Sequence, residues 1–434
     1  MSDVTRHTSA DPPLGGGAEK SASAALRPPG SDRPPTVAKR RIALWAGTLL
    51  CLGWLSHGWE VAGSGLATRS GTVKGADYIQ FYLMGSRVKE GRGDLLYDMT
   101  QITEYAHRRI SPRLEHRPER NPYGPQVALA FQPLAHLPFL PSLALFSLLS
   151  ALAYSAAVWL LWRHASGLRG DGRYVALVAA AYPALLVTLR FGQISTLTLV
   201  APALVVAALA VNRRFLAGMC LGLLAYKPQL LVVAIPVLLV ARDWRGITGL
   251  AVAGAAQLAF AWVWVGTGVM KEYALTLAQV SLRPDMVMLY PENSHSLRGF
   301  LRLLGVPASV ASTVGVACVL ACAAPVARAW RGDAPPLMRV SALILLTLLL
   351  TPHLITYDLL LLAVPIIALA ESAATHAKNP GARRATVVAV VLYAASFSPV
   401  LAEHAHIQLS TLAIAAGVWI TWPLTATRGS QSVL

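Results

Sequence analysis

Charge is scarce in this chain. Only 13% of its 434 residues are Asp, Glu, Lys or Arg, about half of the roughly 25% that a water-soluble domain carries. With 55% hydrophobic residues and a mean hydropathy of +0.52, there is more apolar surface than a soluble core can hide. A soluble globular enzyme and a disordered chain are both excluded. Cysteine is scarcer still: Cys51, Cys220, Cys318 and Cys322 are the only four. All sit inside apolar runs, and none has zinc-ligand spacing with His, so they exclude a disulfide scaffold and read as small packing residues. Acidic residues number 21 against 37 basic ones, a net charge of +16. The basic residues are scattered, without interleaved aromatics, and form no nucleic-acid surface. Walker, G-x-G-x-x-G, G-x-S-x-G and H-E-x-x-H motifs are absent. So is the Asp-x-Asp pair that commonly holds a metal-bound nucleotide sugar.

What is there is a series of long apolar runs, many near the roughly 20 residues needed to cross a bilayer. The chain reads as an all-α polytopic membrane protein. Residues 1–38, rich in Pro, Gly, Ser and Ala, are expected to be a disordered arm. The first apolar run starts only near Ile42 and is too long for a cleavable leader. Lys39-Arg40-Arg41 before it should keep the N-terminus cytoplasmic. After a first span at about 42–59 comes a polar stretch, about 60–125, that forms the large first extracytoplasmic loop. Within it, 78–90 predicts a helix whose Phe81, Met84, Gly85 and Val88 share one side, a pattern suited to lying on the membrane surface. Further spans are expected near 134–162, 174–190, 194–211, 215–226, 229–241, 246–267, 308–330, 337–352, 355–372, 385–400 and 408–425. That makes about twelve transmembrane helices, all within one membrane domain from 39 to 428, with 429–434 a short tail. Under this assignment the Arg and Lys clusters at 163–173, 213–214, 242–245, 328–339 and 378–384 fall on the same side as Lys39–Arg41, which satisfies the positive-inside rule.

The run 215–241 is interrupted by Tyr226-Lys227-Pro228-Gln229, leaving flanks of about twelve residues that are too short for full crossings. A broken, hairpin-like pair with Lys227 at its tip reconciles those flanks with the basic residues at both ends. On the extracytoplasmic side, several polar signals then converge. Asp77 stands just before the 78–90 helix, as an N-cap or as a general base. Lys227 either snorkels or holds an anion. Arg190 and Gln193 end one span, and Asn293, Ser294, His295 and Arg298 precede a helix start, where capping is the default. Asp358 lies inside an apolar run and needs a partner, for which His353 is within reach. Glu403, His404 and His406 are too sparse a set to suggest a metal, and no metal or cofactor is expected.

The ordered set Gly75-Ala76-Asp77-Tyr78 through Tyr82 and Gly85, Leu95-Leu96-Tyr97, Asn121-Pro122-Tyr123-Gly124-Pro125, Phe131-Gln132-Pro133-Leu134, Phe191-Gly192-Gln193, Ala225-Tyr226-Lys227-Pro228, Asn293-Ser294-His295-Ser296-Leu297 and Thr351-Pro352-His353 resembles glycosyltransferase family 87. The likeness spans roughly residues 70–370. It implies a GT-C fold in the plasma (inner) membrane and a polyprenyl-phosphate sugar donor, most often mannose. It also implies transfer to a lipid or glycan acceptor on the extracytoplasmic side. By the same resemblance Asp77 is the catalytic base, while Lys227, Gln193 and His353 contact the donor's phosphate or sugar; Arg190, Tyr82, Asn293 and Asp358 are further candidates for donor contacts. The sequence departs from the family at Asn-Pro-Tyr-Gly-Pro, where Tyr-Pro-Pro is more usual, and at Tyr357-Asp358, where further His can occur. A transporter or flippase of lipid-linked sugar is the rival reading, because broken helices with midplane charge also mark transporters.

Overall fold

A computed structural model describes residues 37–98, 100–112, 114, 123–282, 291–351, 354–377, 380–397, 402, 404 and 407–426. Over these residues every regular element is helical, and the one extended pairing is an isolated bridge between Ala67 and Val73. The arm expected over 1–38 falls almost wholly outside the described residues, as does the tail at 429–434. Helix α1 (Val37–Val61) turns Leu44, Trp45, Leu52 and Leu55 outward and buries only Ala46 and Glu60. The following loop carries α2 (Tyr78–Lys89) and α3 (Ile102–Arg109). It then runs through α4 (Pro125–Phe131) to the long α5 (Phe139–Arg163). Next come α6 (Gly172–Ala180), α7 (Pro183–Phe191), α8 (Ser195–Ala210), α9 (Arg214–Gly222), α10 (Ala234–Val240) and α11 (Trp244–Leu282), the last broken at Gly266. The chain finishes with α12 (Leu297–Leu303), α13 (Ala308–Arg331), α14 (Pro336–Leu350), α15 (Ala363–Thr375), α16 (Pro380–Ala394) and α17 (Leu409–Ala426). The centre is α14, packed on α8 and α15, with almost every residue from Leu337 to Leu350 buried.

Large apolar side chains lie bare along the outer helices, among them Leu148, Leu152, Trp159, Phe260, Trp262, Val263, Leu320 and Trp419. A continuous belt of this kind requires lipid rather than water around it, and the protein is membrane-embedded. Among the described residues, four helices are long and apolar enough to cross alone: Phe139–Arg163, Trp244–Val280, Ala308–Arg331 and Thr356–Thr375. A fifth arises if Ser166–Ala180 and Pro183–Phe191, bent by 45°, count as one. Several further apolar helices are shorter. Sixteen residues in α8 and fifteen in α14 give about 24 and 22 Å at 1.5 Å per residue, less than a roughly 30 Å hydrocarbon core.

Helix α2 corrects the sequence expectation. It does not lie on a membrane surface, because ten of its twelve residues are buried inside the protein. The face carrying Phe81, Met84 and Val88 is matched by Tyr78, Ile79, Tyr82 and Leu83 on the other side. Both are covered, chiefly by α4 and the turn Leu134–His136. A helix apolar all round seeks a core rather than an interface.

Side-chain bonds sort the molecule into two ends. At one, Tyr78 meets Ser142 near the start of α5, Arg298 meets Ser312 near the start of α13, and Arg190 meets Glu60 at the end of α1. At the other, Lys39 pairs with Asp171, Ser166 bonds Glu371, and Trp330 bonds Asp243 near the far end of α13. The second end gathers the basic loops that the sequence places together, and the first gathers the candidate site.

The stretch between α8 and α11 doubles back. Helix α9 and the tight turn Leu223–Tyr226 run inward, and Pro228–Leu231 and α10 return. Arg214 Nη1 then lies 3.5 Å from Asp243 Oδ2, so both ends of the hairpin meet on one side and Lys227 is its tip. Helix α9 is held by backbone-close packing on α11: a Cβ on Gly218 would stand 2.0 Å from the Gly246 carbonyl oxygen, and one on Gly249 would stand 2.0 Å from that of Phe215. This geometry predicts that single cysteines replacing Arg213 and Arg242, in a variant lacking the native four, label with an impermeant maleimide from the same side of sealed vesicles. Labelling from opposite sides would make the segment two crossings.

Candidate active site

The site begins at the C-terminus of α7. Gly192 takes φ +70°, and the amides of Gly192 and Gln193 bond back to Leu189 and Thr188, a Schellman closure that needs a residue free to enter the left-handed region. A side chain at 192 would also strike Tyr78, its Cβ only 2.6 Å from that of the tyrosine. The carbonyls of Arg190 and Phe191, which a helix end leaves unpaired, accept the amides of Gly75 and Asp77 at 3.3 and 3.0 Å. The helix end thus grips the turn that leads into α2. As a result Gln193, 1% exposed, donates through Nε2 to Asp77 Oδ2 at 2.7 Å. Asp77 occupies the N-cap position of α2, yet its side chain makes no capping bond. The carboxylate is aimed at Gln193 instead of at the helix amides.

The second half of the site lies at the hairpin tip. The backbone of Lys227 (φ −130°, ψ 69°) leaves the helical region, with Pro228 preventing resumption. Its Nζ sits 2.5 Å from Asp358 Oδ1 and 5.6 Å from the ring centre of Tyr357. The two side chains are 5% and 2% exposed, and Ser195 Oγ donates to the same Oδ1 at 3.1 Å. Lys227 is therefore not a bare cation. Asp358 pairs with Lys227; the expected partner His353 lies, with Pro352, outside the described residues. An ammonium has three donors, so the bond to Asp358 leaves capacity for an incoming anion.

Tyr123 joins the halves. Its phenol lies 3.5 Å from Gln193 Oε1. Burial pushes its pKa far up, and the charges of Asp358, Tyr226 and Asp77 push in the same direction. Tyr226, beside Lys227, shares a 2.5 Å bond with Thr198. Tyr123, Ser195, Thr198 and Tyr226 escaped the sequence reading, although Tyr123 sits in Asn-Pro-Tyr-Gly-Pro and Tyr226 adjoins the Lys-Pro pair.

Three expected residues stand elsewhere. Arg190 is half-exposed and reaches Glu60 at 3.8 Å and Ser70 at 3.5 Å, away from Lys227. Its contribution to the site is its backbone carbonyl. Tyr82 is fully buried, donates to the Leu137 carbonyl at 2.9 Å and lies under the Arg109 guanidinium at 5.1 Å. Asn293 is exposed at the end of the turn Pro291–Asn293, while its neighbours Ser294, His295 and Ser296 are buried. His295 was expected to cap a helix. Instead its Nδ1 lies 2.6 Å from Ser410 Oγ and its Nε2 lies 2.8 Å from Thr356 Oγ1, two residues before Asp358. Burial lowers the imidazole pKa to about 3, against an opposing hydrogen bond with Gln408. Among the described residues no three His, Cys, Asp or Glu side chains come together as a metal site.

The family model described as Glycosyltransferase family 87 matches residues 121–352, a little over half of the chain. Tyr123, Arg190, Gln193, Lys227 and Asn293 fall inside the match. Asp77 and Tyr82 precede it, and His353 and Asp358 follow it. No curated protein and no solved structure matches the chain significantly.

Removing one member of the buried pair leaves a desolvated charge. Lys227→Met is expected to cost about 3–5 kcal/mol, whereas Lys227→Met with Asp358→Leu recovers most of it; thermal unfolding in lipid nanodiscs reads both. Equal losses in the single and double variants would deny the pair. The His295 network has a pH signature. The unfolded imidazole gains a proton below about 6.5 and the folded one only below about 3. The unfolded state therefore binds more protons in that window, and stability is lost as pH falls through it. At pH 5 the loss from this residue amounts to about 2 kcal/mol. His295→Asn should flatten that part of the acid limb, and an unchanged limb would show that the imidazole is not held neutral.

Proposed function

The chain belongs to glycosyltransferase family 87, and from that premise we propose that it transfers a hexose, most simply mannose, from a polyprenyl-phosphate donor to a hydroxyl of a lipid or glycan acceptor. Asp77 is the base. The observation that carries this reading is the Asp77 carboxylate: it stands at a helix N-cap, does not cap, and is held by the neutral carboxamide of Gln193. It is half-buried, so a substrate can approach it.

The chemistry asked of the protein is limited. The acceptor oxygen attacks the anomeric carbon as the bond from that carbon to the phosphate oxygen breaks. The acceptor proton passes to Asp77 Oδ, and polyprenyl phosphate leaves as an anion that needs no general acid. Displacement by a single carboxylate base inverts the anomeric centre, unlike the double displacement of a covalent nucleophile. The leaving phosphate needs fixed positive charge, which Lys227 supplies when its remaining donors turn from the protein to the substrate. Tyr123 and Gln193 hold base and cation in register. The lipid donor makes a nucleotide or metal cofactor unnecessary.

The reading extends to placement. The end that carries Asp77 and Lys227 faces away from the cytoplasm, and the basic end with Lys39 faces it, as the excess of Arg and Lys on that end requires. The short apolar helices pair into further crossings, giving the GT-C-like count of about twelve in the plasma membrane. Broken helices around a buried charge also suit a flippase, which would move the lipid-linked sugar without breaking its glycosidic bond.

The deciding assay follows radiolabelled sugar from polyprenyl-phosphate mannose into membrane lipid with purified protein in nanodiscs. Asp77→Asn is expected to fold normally and lower transfer by about 10²–10⁴-fold. Undiminished transfer by that variant would remove Asp77 from the mechanism. Movement of intact donor across vesicles, with no transfer in wild type, would favour the flippase.

A further inference from the structure

Helix α4 carries an anomaly three residues after Tyr123. The residue Gln126 is half-buried, on the side of α4 that it shares with exposed Ala130. A glutamine in that position ordinarily leaves its stem against the protein and its amide in water. Here the reverse holds. Both Nε2 and Oε1 are shielded from solvent, and neither has a hydrogen-bond partner. An unpaired donor and an unpaired acceptor at once is costly, and a native structure retains such a group only for a reason.

The chain makes room for this arrangement. The carboxamide folds back over Gly124, where an added Cβ would stand 2.2 Å from Oε1 and 2.8 Å from Nε2. Gly124 has φ −70° and ψ 160°, a conformation open to any residue, so its backbone does not demand glycine. The space taken by the Gln126 amide does. Folding back brings that amide beside the Tyr123–Gly124 peptide, and Tyr123 is the residue that links Gln193 and Asp77 to Asp358.

We infer that Gln126 is a substrate-binding residue whose carboxamide reads adjacent hydroxyls of a pyranose in the site. A primary amide offers one acceptor and a donor fork side by side. That set matches a vicinal diol, in which one hydroxyl donates and its neighbour accepts. A sugar entering beside Tyr123 satisfies both orphan atoms, and a site with unpaired polar groups rejects ligands that lack the matching hydroxyls. This assignment rests on the glycosyl-transfer reading for its ligand class. It adds a residue that neither the sequence motifs nor the Asp77 chemistry includes. The pyranose is that of the donor or that of the acceptor, and the two have the same chemistry at this contact.

The test uses the full chain in nanodiscs with Gln126→Met, nearly isosteric and without the amide, and Gly124→Ala, which evicts the amide while keeping it. Neither change removes a hydrogen bond within the protein, so both variants should unfold at or near the wild-type temperature. A residue with a structural role would lose stability instead. In the donor arm, binding of polyprenyl-phosphate mannose is compared with that of sugar-free polyprenyl phosphate. In the acceptor arm, octyl mannoside binding is measured by thermal shift. Both variants are expected to weaken one arm by about 5- to 10-fold, the loss of one or two sugar hydrogen bonds, with sugar-free polyprenyl phosphate unaffected. The weakened arm identifies the sugar. Wild-type-like binding in both arms, or a wild type that binds neither sugar, overturns the inference. A wild type that binds octyl mannoside with Gln126-dependent affinity but transfers nothing overturns the proposed reaction and leaves this contact standing.

Discussion

A buried lysine and a buried aspartate 2.5 Å apart set the terms for the rest of this molecule. Neither charge survives in an apolar interior without the other. Desolvating an ion costs several kcal/mol even after relaxation, and only close pairing with further hydrogen bonds recovers it. Lys227 reaches the pair because α9 stops short of a crossing. Asp358 reaches it because the chain enters a tight turn at Thr356–Leu362 before α15 resumes. Two interrupted helices far apart in sequence are thereby fixed against each other, with Ser195 from α8 supplying a third contact. Irregular backbone at depth is tolerated only where its polar groups are satisfied. The Lys227–Asp358 pair is what satisfies these side chains.

The Asp77 side is held by different physics. Helix-end carbonyls grip the backbone there, and a glutamine amide donates to the carboxylate. The last carbonyls of α7 take the amides that precede α2, and Gly192 allows Tyr78 to approach closely enough for that to happen. The paired charges are fully buried, and the carboxylate held by an amide is half-buried. Tyr123 lies between them, acted on by Asp77 and Asp358 together. His295 extends the same logic outward, tying Ser410 in α17 to Thr356 just ahead of Asp358.

Much of this was legible in the sequence, and the reasons for the failures are specific. The membrane class followed from the shortage of charge. The break at Lys227 followed from flanks too short to cross, and Asp358 stood out as a carboxylate inside an apolar run, whereas Gln193 became a candidate through the family resemblance alone. Partners were not legible. The ion that pairs with Asp358 comes from 131 positions away, and no local spacing encodes a long-range pairing. Tyr82 and α2 misled for the opposite reason. A helix with a clear apolar stripe reads as interfacial until its other face proves equally covered.

Composition also hides the division of labour between the two ends of the molecule. The end with Lys39, Asp171, Arg214 and Asp243 uses its charges in pairs: Lys39–Asp171 is partly solvated and worth little on its own, while Asp243, 3% exposed, also accepts from Trp330. The other end commits Lys227 and Asp358 to buried positions and Asp77 to a half-buried one, where each is costly. A membrane protein selected only for stability would not place them there, since apolar residues of similar volume serve as well or better. The same argument applies to the orphan amide of Gln126. Costly polarity concentrated in one place, next to a carboxylate free of its capping role, is the physical mark of a site kept for what it binds.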